Sequence, residues 1–299
     1  MPSASQTEGP AAASVREAVT LCRRIDPLKL KSPYRIEAGS KVRLTQRKTD
    51  EDGGLKSDLN TKEEAAAVLA KHRDQLAAMQ ELFWASKTKS LLIVLQGMDT
   101  AGKDGTISHI FSGVNPQGCN VTSFKVPTAL EAEHDFLWRI HAATPPRGMI
   151  QIFNRSHYED VLAPRVHKLI SEKVARRRID EINAFEKILA DNDTVILKFF
   201  LNISKKEQKQ RLEARIADPD KHWKLSPADF QERDYWDDYI AAYNETLSET
   251  SHSHAPWFVI PSDVKWYRNL AISEILVAAM KRLKLKYPKP VMDPTQIKL

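Results

Sequence analysis

A glycine-rich turn that ends in a lysine is the clearest chemical feature of this 299-residue sequence. Residues 97–103 read Gly-Met-Asp-Thr-Ala-Gly-Lys and fit the spacing G-x-x-x-x-G-K. An apolar run at 91–95 precedes the turn, and a helix is predicted directly after it, over residues 104–111. In that context, backbone amides and a helix N-terminus point at phosphate oxygens, and the lysine adds a positive charge. The spacing therefore predicts a phosphate-binding loop (P-loop) rather than a chance glycine turn.

The same loop suggests a metal site of an unusual kind. Lys103 is followed by Asp104, so the hydroxyl that ordinarily ligates Mg²⁺ in such loops is missing. Asp99 lies inside the loop, and Mg²⁺ prefers hard oxygen ligands. Asp99 is therefore the first candidate for holding the metal, directly or through water. Asp104 is expected to favour the helix N-terminus electrostatically.

A second polar group begins where the third predicted strand ends. Residues 154–159 read Asn-Arg-Ser-His-Tyr-Glu. Ligands of α/β sheets bind at the carboxyl ends of the strands, so these side chains should reach the site. Arg155 suits bidentate binding of phosphate. Asn154 is a candidate for holding a metal-bound water, and Glu159 for holding a second metal or orienting an acceptor phosphate.

The elements that must position these residues alternate along the chain. Strands are predicted at 90–95, 120–126, 148–153, 194–201 and 257–260, and helical stretches separate them. This alternation is typical of a parallel α/β sheet with helices on both faces. One helix is predicted over 158–189, and residues 202–250 form a helical hairpin between the last two strands. Capping boxes mark helix starts at Thr61, Thr128 and Ser204, and Pro227 suits a first helical position. Residues 1–60 are expected to be weakly structured or peripheral.

Composition excludes several classes of protein. Hydrophobic residues make up 42% and charged residues 28%, which is not the composition of a disordered chain. Two cysteines are too few for a disulfide scaffold, and no apolar run is long enough for a membrane helix. We therefore expect a cytoplasmic protein without a membrane partner. The net charge of +6 favours an anionic partner.

Several motifs in one order resemble the polyphosphate kinase 2 family. They are GMDTAGKDG at 97–105, SFKVPT at 123–128, HDFLWR at 134–139, PPRG at 145–148, FNRSHYEDVL at 153–162 and RLEARIADPDKHWKLSPAD at 211–229. The resemblance implies a three-layer P-loop kinase fold similar to thymidylate kinase, with a five-stranded parallel sheet. It places this domain at 61–285 with a helical lid at about 202–250, an N-terminal extension at 1–60 and a tail at 286–299.

The resemblance also implies an activity. The family moves phosphoryl groups reversibly between inorganic polyphosphate and nucleotides with Mg²⁺, for which we expect Mn²⁺ to substitute. The form of residues 154–160 is most similar to class III members, which are associated with both AMP and ADP. Adenine nucleotides are thus the expected partners, with guanine nucleotides second, and we expect a homo-oligomer. Members of the family that catalyse one step more often have Asp at the position of Asn154, so direct metal ligation is not predicted there.

Together, the motifs and the resemblance predict a set of site residues. The predicted catalytic residues are Asp99, Lys103, Arg155 and Arg215, and the predicted metal ligands are Asp99 and Glu159. The predicted substrate-binding residues are Gly97, Thr100, Ala101, Gly102, Asp104, Gly105, Lys125, Asn154, Glu159 and Arg211. By resemblance, Arg211 and Arg215 are the lid arginines that neutralise the transferring phosphate. Lys205, Lys206 and Lys209 are expected to be solvated, and Trp223 is placed in the core.

Two other functions are compatible with a P-loop and a basic chain. An ATP-dependent nucleoside monophosphate kinase would have the same fold, although the missing P-loop hydroxyl favours a different donor. A nucleic-acid-binding P-loop ATPase would suit the net charge. The sequence lacks the aromatic-rich basic strands that single-strand binders use, so no nucleic-acid partner is expected.

Overall fold

The central sheet of the protein is parallel and has five strands. The computed structural model describes residues 30–51, 62–293, 295 and 297. The strands are β1 (Ser90–Gln96), β2 (Cys119–Ser123), β3 (Ile150–Asn154), β4 (Thr194–Asn202) and β5 (Trp257–Pro261), in the order β2-β3-β1-β4-β5. Every residue of β1, β4 and β5 is buried, as expected for apolar strands covered on both faces. The predicted five-stranded parallel sheet is confirmed.

Helices cover both faces of this sheet. They are α1 (Lys62–Ser86), α2 (Lys103–Ile110), α3 (Ala129–Ala132), α4 (Trp138–Ala142), α5 (Glu159–Val166), α6 (Glu172–Asp191), α7 (Lys205–Ala217), α8 (Pro227–Gln231), α9 (Trp236–Thr250) and α10 (Lys265–Arg282). α10 packs against α1, α2 and β5, whereas α9 packs against α5 and α6, and α6 packs against β4. Helix, sheet and helix thus form three layers.

The strand order brings the two predicted phosphate elements together. β1 lies between β3 and β4, and Leu95 pairs with both Asn154 and Phe199. The P-loop, which follows β1, and the polar segment that follows β3 therefore begin side by side. Parallel strands share one carboxyl edge, so this adjacency results from the sheet order alone.

Some of the predicted helix boundaries agree with the structure. Thr128 and Glu131 form the predicted reciprocal capping box. Ser204 caps α7 by accepting from the amide of Glu207, and α8 begins at Pro227 as predicted. Thr61 lies outside the described residues. The single helix predicted over 158–189 is wrong, because α5 ends at Val166 and α6 begins only after the N-cap Ser171.

Residues 30–51 lie in the stretch expected to be weakly structured or peripheral, but they contribute side chains to the core. Tyr34, Ile36 and Leu44 are among these side chains in the main core. Arg35 forms an antiparallel bridge with Phe258, so this segment covers the outer edge of β5. The local sequence shows no period because the segment is irregular, and its order comes from these distant contacts. Among the described residues, no helix has the length and apolar character needed to cross a membrane.

Candidate active site

The P-loop has a backbone conformation that requires glycine at its end. Gly102 has a φ of 106°, a left-handed value, and it is the N-cap of α2. A Cβ atom at Gly102 would lie 1.8 Å from Nη1 of Arg268. Arg268 itself donates from Nη1 to the carbonyl of Ala101 at 3.1 Å. Position 102 is therefore fixed as glycine both by backbone angle and by the close approach of a buried arginine.

Lys103 is buried against the loop that precedes it. Its ammonium donates to the carbonyls of Gly97 at 2.7 Å and Met98 at 3.3 Å. Burial, followed by the charge of Arg155, lowers the pKa of Lys103 to about 8. A bound phosphate would supply a charged acceptor in place of neutral carbonyls and would favour the protonated lysine.

Arg155 joins the P-loop to the segment that follows β3. Its Nη2 donates to Oδ1 of Asp99 at 2.6 Å, and its Nη1 lies 3.6 Å from Oε2 of Glu159. Glu159 raises the pKa of Arg155, and Asp99 adds to this effect against the opposing effect of burial. The predicted metal-ligand pair, Asp99 and Glu159, is thus brought together around one guanidinium group.

Asn154 and Asp104 contact each other rather than the carboxylate of Asp99. The amide of Asn154 donates to Oδ1 of Asp104 at 2.7 Å. Nζ of Lys224 lies 3.7 Å from Oδ2 of the same aspartate. Asp104 lies in the first turn of α2, where a carboxylate is electrostatically favourable, as predicted. Through Lys224, Asp104 also connects α2 to the predicted lid.

The two predicted lid arginines have different surroundings. Arg211 donates to the carbonyls of Thr100, Ala101, Ser262 and Asp263 and to the carboxylate of Glu207. Arg215, one turn further along α7, donates to the carbonyl of Lys224 at 3.3 Å. Arg211 therefore fixes α7 to the P-loop, whereas Arg215 belongs to the outer part of the predicted lid.

A cavity of about 810 Å³ lies over the P-loop and is strongly basic. Nine lysines and arginines line it, against two carboxylates, Asp99 and Asp104. The predicted site residues in its wall are Asp99, Thr100, Gly102, Lys103, Asp104, Gly105, Lys125, Asn154, Arg155, Arg211 and Arg215. Gly97, Ala101 and Glu159 lie outside this wall, although Gly97 and Ala101 contact it through their carbonyls and Glu159 through Arg155.

The P-loop hydroxyl of Thr100 is available for a ligand. Thr100 lines the cavity, and its buried Oγ1 has no hydrogen-bond partner among the described residues. A buried hydroxyl without a partner is costly, so a phosphate oxygen that accepted from it would stabilise the complex. This observation supports the predicted role of the loop without assigning a particular phosphate.

Sequence reasoning did not identify the contribution of α10 to the cavity. Lys265, Arg268 and Asn269 lie in its wall, at the start of the helix that follows β5. The rule that selected residues 154–159 applies equally here, because these residues follow the carboxyl end of a parallel strand. That rule is the signal that would have found them.

Two expectations about the lid surface have opposite outcomes. Lys205, Lys206 and Lys209 are exposed, as predicted for a solvated helix face. The placement of Trp223 in the core is wrong, because its side chain is 78% exposed. Trp223 lies in a short 3-10 helix, Pro219–Lys224, with the ammonium of Lys224 4.9 Å from its ring.

The carboxylates at the site are compatible with a magnesium ion. No group of three or more His, Cys, Asp or Glu side chains suited to a metal occurs among the described residues. Asp99 and Glu159 are both partly buried and meet at Arg155. Magnesium is usually bound by one or two carboxylates together with waters and substrate phosphates. The chemistry of this donor pair therefore fits the ion.

Comparisons with known proteins agree with one another. Residues 59–288 match the family model described as polyphosphate kinase 2 (PPK2). The AMP/ADP-polyphosphate phosphotransferase of Meiothermus ruber is 45% identical over 257 residues, covering 86% of this chain and 95% of that protein. The ADP-polyphosphate phosphotransferase of Rhodopseudomonas palustris is 43% identical over 268 residues, covering 86% and 91%. The crystal structure of polyphosphate kinase 2 from Arthrobacter aurescens superposes with a TM-score of 0.84 at 43% identity, covering 89% of this chain and 94% of that chain.

Proposed function

Because the chain belongs to the polyphosphate kinase 2 family, it is an enzyme that transfers phosphoryl groups between polyphosphate and nucleotides, and we propose that it uses Mg²⁺ and accepts both AMP and ADP. The observation that carries the proposal is the cavity over the P-loop, whose wall has nine cationic and two anionic side chains. A linear polyanion and a nucleotide phosphate bring many negative charges into one small volume. Such an excess of cations is what their joint binding requires.

The roles of the cations follow from their positions. Lys103, at the start of α2, contacts the phosphates held by the P-loop. Arg155 has a planar guanidinium suited to binding a phosphate through two hydrogen bonds. Arg215 adds charge from the lid when the substrates are bound. The acceptor is already an anion, so positioning and electrostatics supply the rate enhancement and no general base is assigned.

Asp99 and Glu159 are the residues that would hold Mg²⁺. The ion, when bound, would neutralise charge on the phosphate oxygens. Arg155 lies between the two carboxylates and restrains their approach to each other. The two carboxylates and the single guanidinium together carry a net charge of −1, which favours a cation at this edge of the cavity.

The range of acceptors is proposed from the relatives and from the segment after β3. One relative is named for both AMP and ADP and another for ADP, at similar identities to this chain. The Asn-Arg-Ser-His-Tyr-Glu form of residues 154–159 favours the broader acceptor range. The two alternatives, an ATP-dependent monophosphate kinase and a nucleic-acid ATPase, are not favoured by these relatives. A cytoplasmic location and a homo-oligomer stay predictions.

One incubation tests this proposal. The protein is mixed with Mg²⁺, polyphosphate and AMP, and ADP and ATP are separated and quantified over time. We expect ADP first and then ATP, and neither in excess EDTA. A parallel incubation with ATP and AMP but no polyphosphate tests the monophosphate kinase. Rapid transfer from ATP together with none from polyphosphate would contradict the proposal, and ADP formation without any ATP would restrict the acceptor to AMP.

A further inference from the structure

The segment that joins β3 to α5 contributes its first side chains to the cavity and its next side chains to the core. Asn154 and Arg155 line the cavity, while Ser156, His157 and Tyr158 are fully buried. Arg155 has a φ of 61°, a left-handed value that is unfavourable for a residue with a side chain. Such a conformation persists only where the surrounding structure fixes it. The buried residues that follow Arg155 are therefore the place to look for what fixes it.

The hydroxyl of Tyr158 hydrogen-bonds to both members of a buried ion pair. Lys198 of β4 and Glu186 of α6 are both 0% exposed, and Nζ of Lys198 lies 2.6 Å from Oε2 of Glu186. The hydroxyl of Tyr158 accepts from Lys198 at 2.9 Å and donates to Oε1 of Glu186 at 2.7 Å. The third proton of Lys198 goes to the carbonyl of Thr250 at 2.7 Å. All three protons of the ammonium thus have a partner.

His157 contacts the same carboxylate. Its Nε2 lies 3.2 Å from Oε1 of Glu186. Burial alone would raise the pKa of Glu186, but Lys198 and His157 lower it to about 2, so the group is ionised at neutral pH. An ionised carboxylate only accepts hydrogen bonds, so Nε2 is the nitrogen of His157 that carries the proton. Two consecutive residues of the segment are therefore anchored to one oxygen.

Stability alone does not explain a buried ion pair at this position. Removing two charges from water is costly, and well-packed apolar residues in place of such a pair are often neutral or stabilising. A buried pair does fix the geometry of the groups that hydrogen-bond to it, because each partner has few other acceptors or donors. Here those groups are His157 and Tyr158, which lie between Arg155 and Glu159 in the chain.

We propose that Glu186 and Lys198 are positioning residues for phosphoryl transfer, which act by holding Tyr158 and His157 so that Arg155 and Glu159 are presented correctly beside Asp99. The inference rests on the proposed function. It assigns a catalytic consequence to two side chains that lie in the core, on β4 and α6. Among the described residues, their hydrogen bonds and ion pairs go to each other, to His157 and Tyr158 and to the carbonyl of Thr250, and none goes to the cavity wall. The P-loop and the lid, which bind most of the phosphate charge, do not depend on the pair.

The first test neutralises the pair without leaving a buried charge. The double variant Glu186→Leu/Lys198→Met keeps the approximate shapes and removes the hydrogen bonds that hold Tyr158 and His157 to the pair. We expect kcat to fall about tenfold or more, because small displacements of catalytic groups are costly. The KM for polyphosphate should stay within about twofold of wild type, since the P-loop and lid cations remain. A wild-type kcat, or a loss confined to KM, would overturn the proposal.

Tyr158→Phe is the second variant, because the double variant could fail to fold. It keeps the buried ring and removes the hydroxyl that links the segment to both charges. We expect a lower kcat with an unchanged KM for polyphosphate. Added to a folded double variant, it should cause little further loss, since residues of one network are not additive. A wild-type kcat for Tyr158→Phe would equally overturn the proposal.

Leu276→Ala is the matched control for destabilisation. Leu276 is fully buried on α10, so its truncation lowers the melting temperature through a cavity in another part of the core. At a temperature where it is folded, we expect a wild-type kcat. An equal kcat loss in this control would show that the network variants act only through stability. Wild-type enzyme in the same assay separates the two proposals, because lack of transfer there contradicts the function itself.

Discussion

The root of the predicted lid (residues 205–212) and its tip (residues 213–224) are held to the protein in different ways. At the root, Arg211 donates to four backbone carbonyls, two in the P-loop and two just after β5. The tip reaches the P-loop helix α2 through the pair of Lys224 and Asp104. The side chain of Arg211 is only 9% exposed. Trp223 and the other residues around Lys224 are largely exposed.

Two residues on one helix face can therefore have different roles. Arg211 and Arg215 are four residues apart on α7, so both point to the same side of the helix. Arg211 cannot move without breaking its charge-assisted hydrogen bonds to the P-loop and to the residues just after β5. Any closure of the lid over substrate is therefore expected to involve the tip, with Arg215, and to leave the root in place.

The largest effect is expected from a substitution in the P-loop, to which the root is fixed. We expect Lys103→Ala to lower kcat by about a hundredfold or more, because an electrostatic contact to the reacting phosphates is lost. The melting temperature should change little, since the buried ammonium is costly to desolvate and its pKa is already lowered. Steady-state kinetics and thermal unfolding check this. Lys209→Ala, an exposed change on α7, is the control and should be neutral; near-normal turnover of folded Lys103→Ala would refute the P-loop assignment.

Arg215→Ala tests the tip. We expect kcat to fall by about tenfold or more while nucleotide KM changes less, because lid charge matters most after the substrates are bound. The melting temperature should stay close to that of wild type, since the side chain of Arg215 is not part of the core and its hydrogen bond to the carbonyl of Lys224 is exposed. Kinetics at saturating and subsaturating nucleotide separate the two constants. If affinity collapses while the saturated rate is normal, Arg215 is a binding residue and the comparison with Arg211 fails.

Arg211→Ala tests the root. Unlike Arg215→Ala, it should lower the melting temperature. Four carbonyls lose a charged donor, for which a loss of about 2–3 kcal/mol is expected. The melting temperature should then fall by roughly 5–10 °C. Arg211→Lys should not restore it, because an ammonium cannot reproduce the planar guanidinium contacts. Equal melting temperatures for the Arg211→Ala and Arg215→Ala variants would remove the distinction between root and tip.

Asp99→Asn sharpens the role of the P-loop itself. Removing the charge deletes a hard ligand and the partner of Arg155, so the Mg²⁺ concentration for half-maximal rate should rise several-fold, on the order of 1 kcal/mol of ligand binding. The measurement is a Mg²⁺ titration at fixed polyphosphate and nucleotide. Asp104→Asn, at the other carboxylate of the cavity, should shift the titration less. An unchanged titration for Asp99→Asn would transfer the metal to Glu159.

The smallest effect concerns pH. Lys103 has a pKa of about 8 without substrate, so its protonated fraction falls as pH rises through that value. Bound phosphate favours the charged form, so kcat should be less sensitive than kcat/KM for polyphosphate. We expect kcat/KM to decline above about pH 8. Lys103→Arg keeps its charge, so any activity it retains should not decline in this range; a wild-type profile that is flat to high pH would contradict the assignment.

The local part of the site could be read from the sequence. The run at 91–95, the glycines at 97 and 102 and the lysine at 103 predict strand, loop and helix together, because burial and backbone angle act within a few residues. The capping box at Thr128 was found for the same reason. The polar segment at 154–159 was assigned to the same edge because parallel strands end on one side.

The contacts between distant residues of the site depend on the packing of the folded chain. Arg211 and Arg268 contact the P-loop across 110 and 167 residues of sequence, and no local period encodes those pairs. The exposure of Trp223 and the burial of Tyr34, Ile36 and Leu44 likewise depend on which distant elements cover them. Lys198 lies within an apolar strand and Glu186 on a helix, and only the packing of α6 on β4 makes them an ion pair. Sequence spacing determined the loop that binds phosphate, because its geometry is local; the fold determined the side chains that hold the loop, because a buried charge or carbonyl takes whichever partner the packing brings within reach.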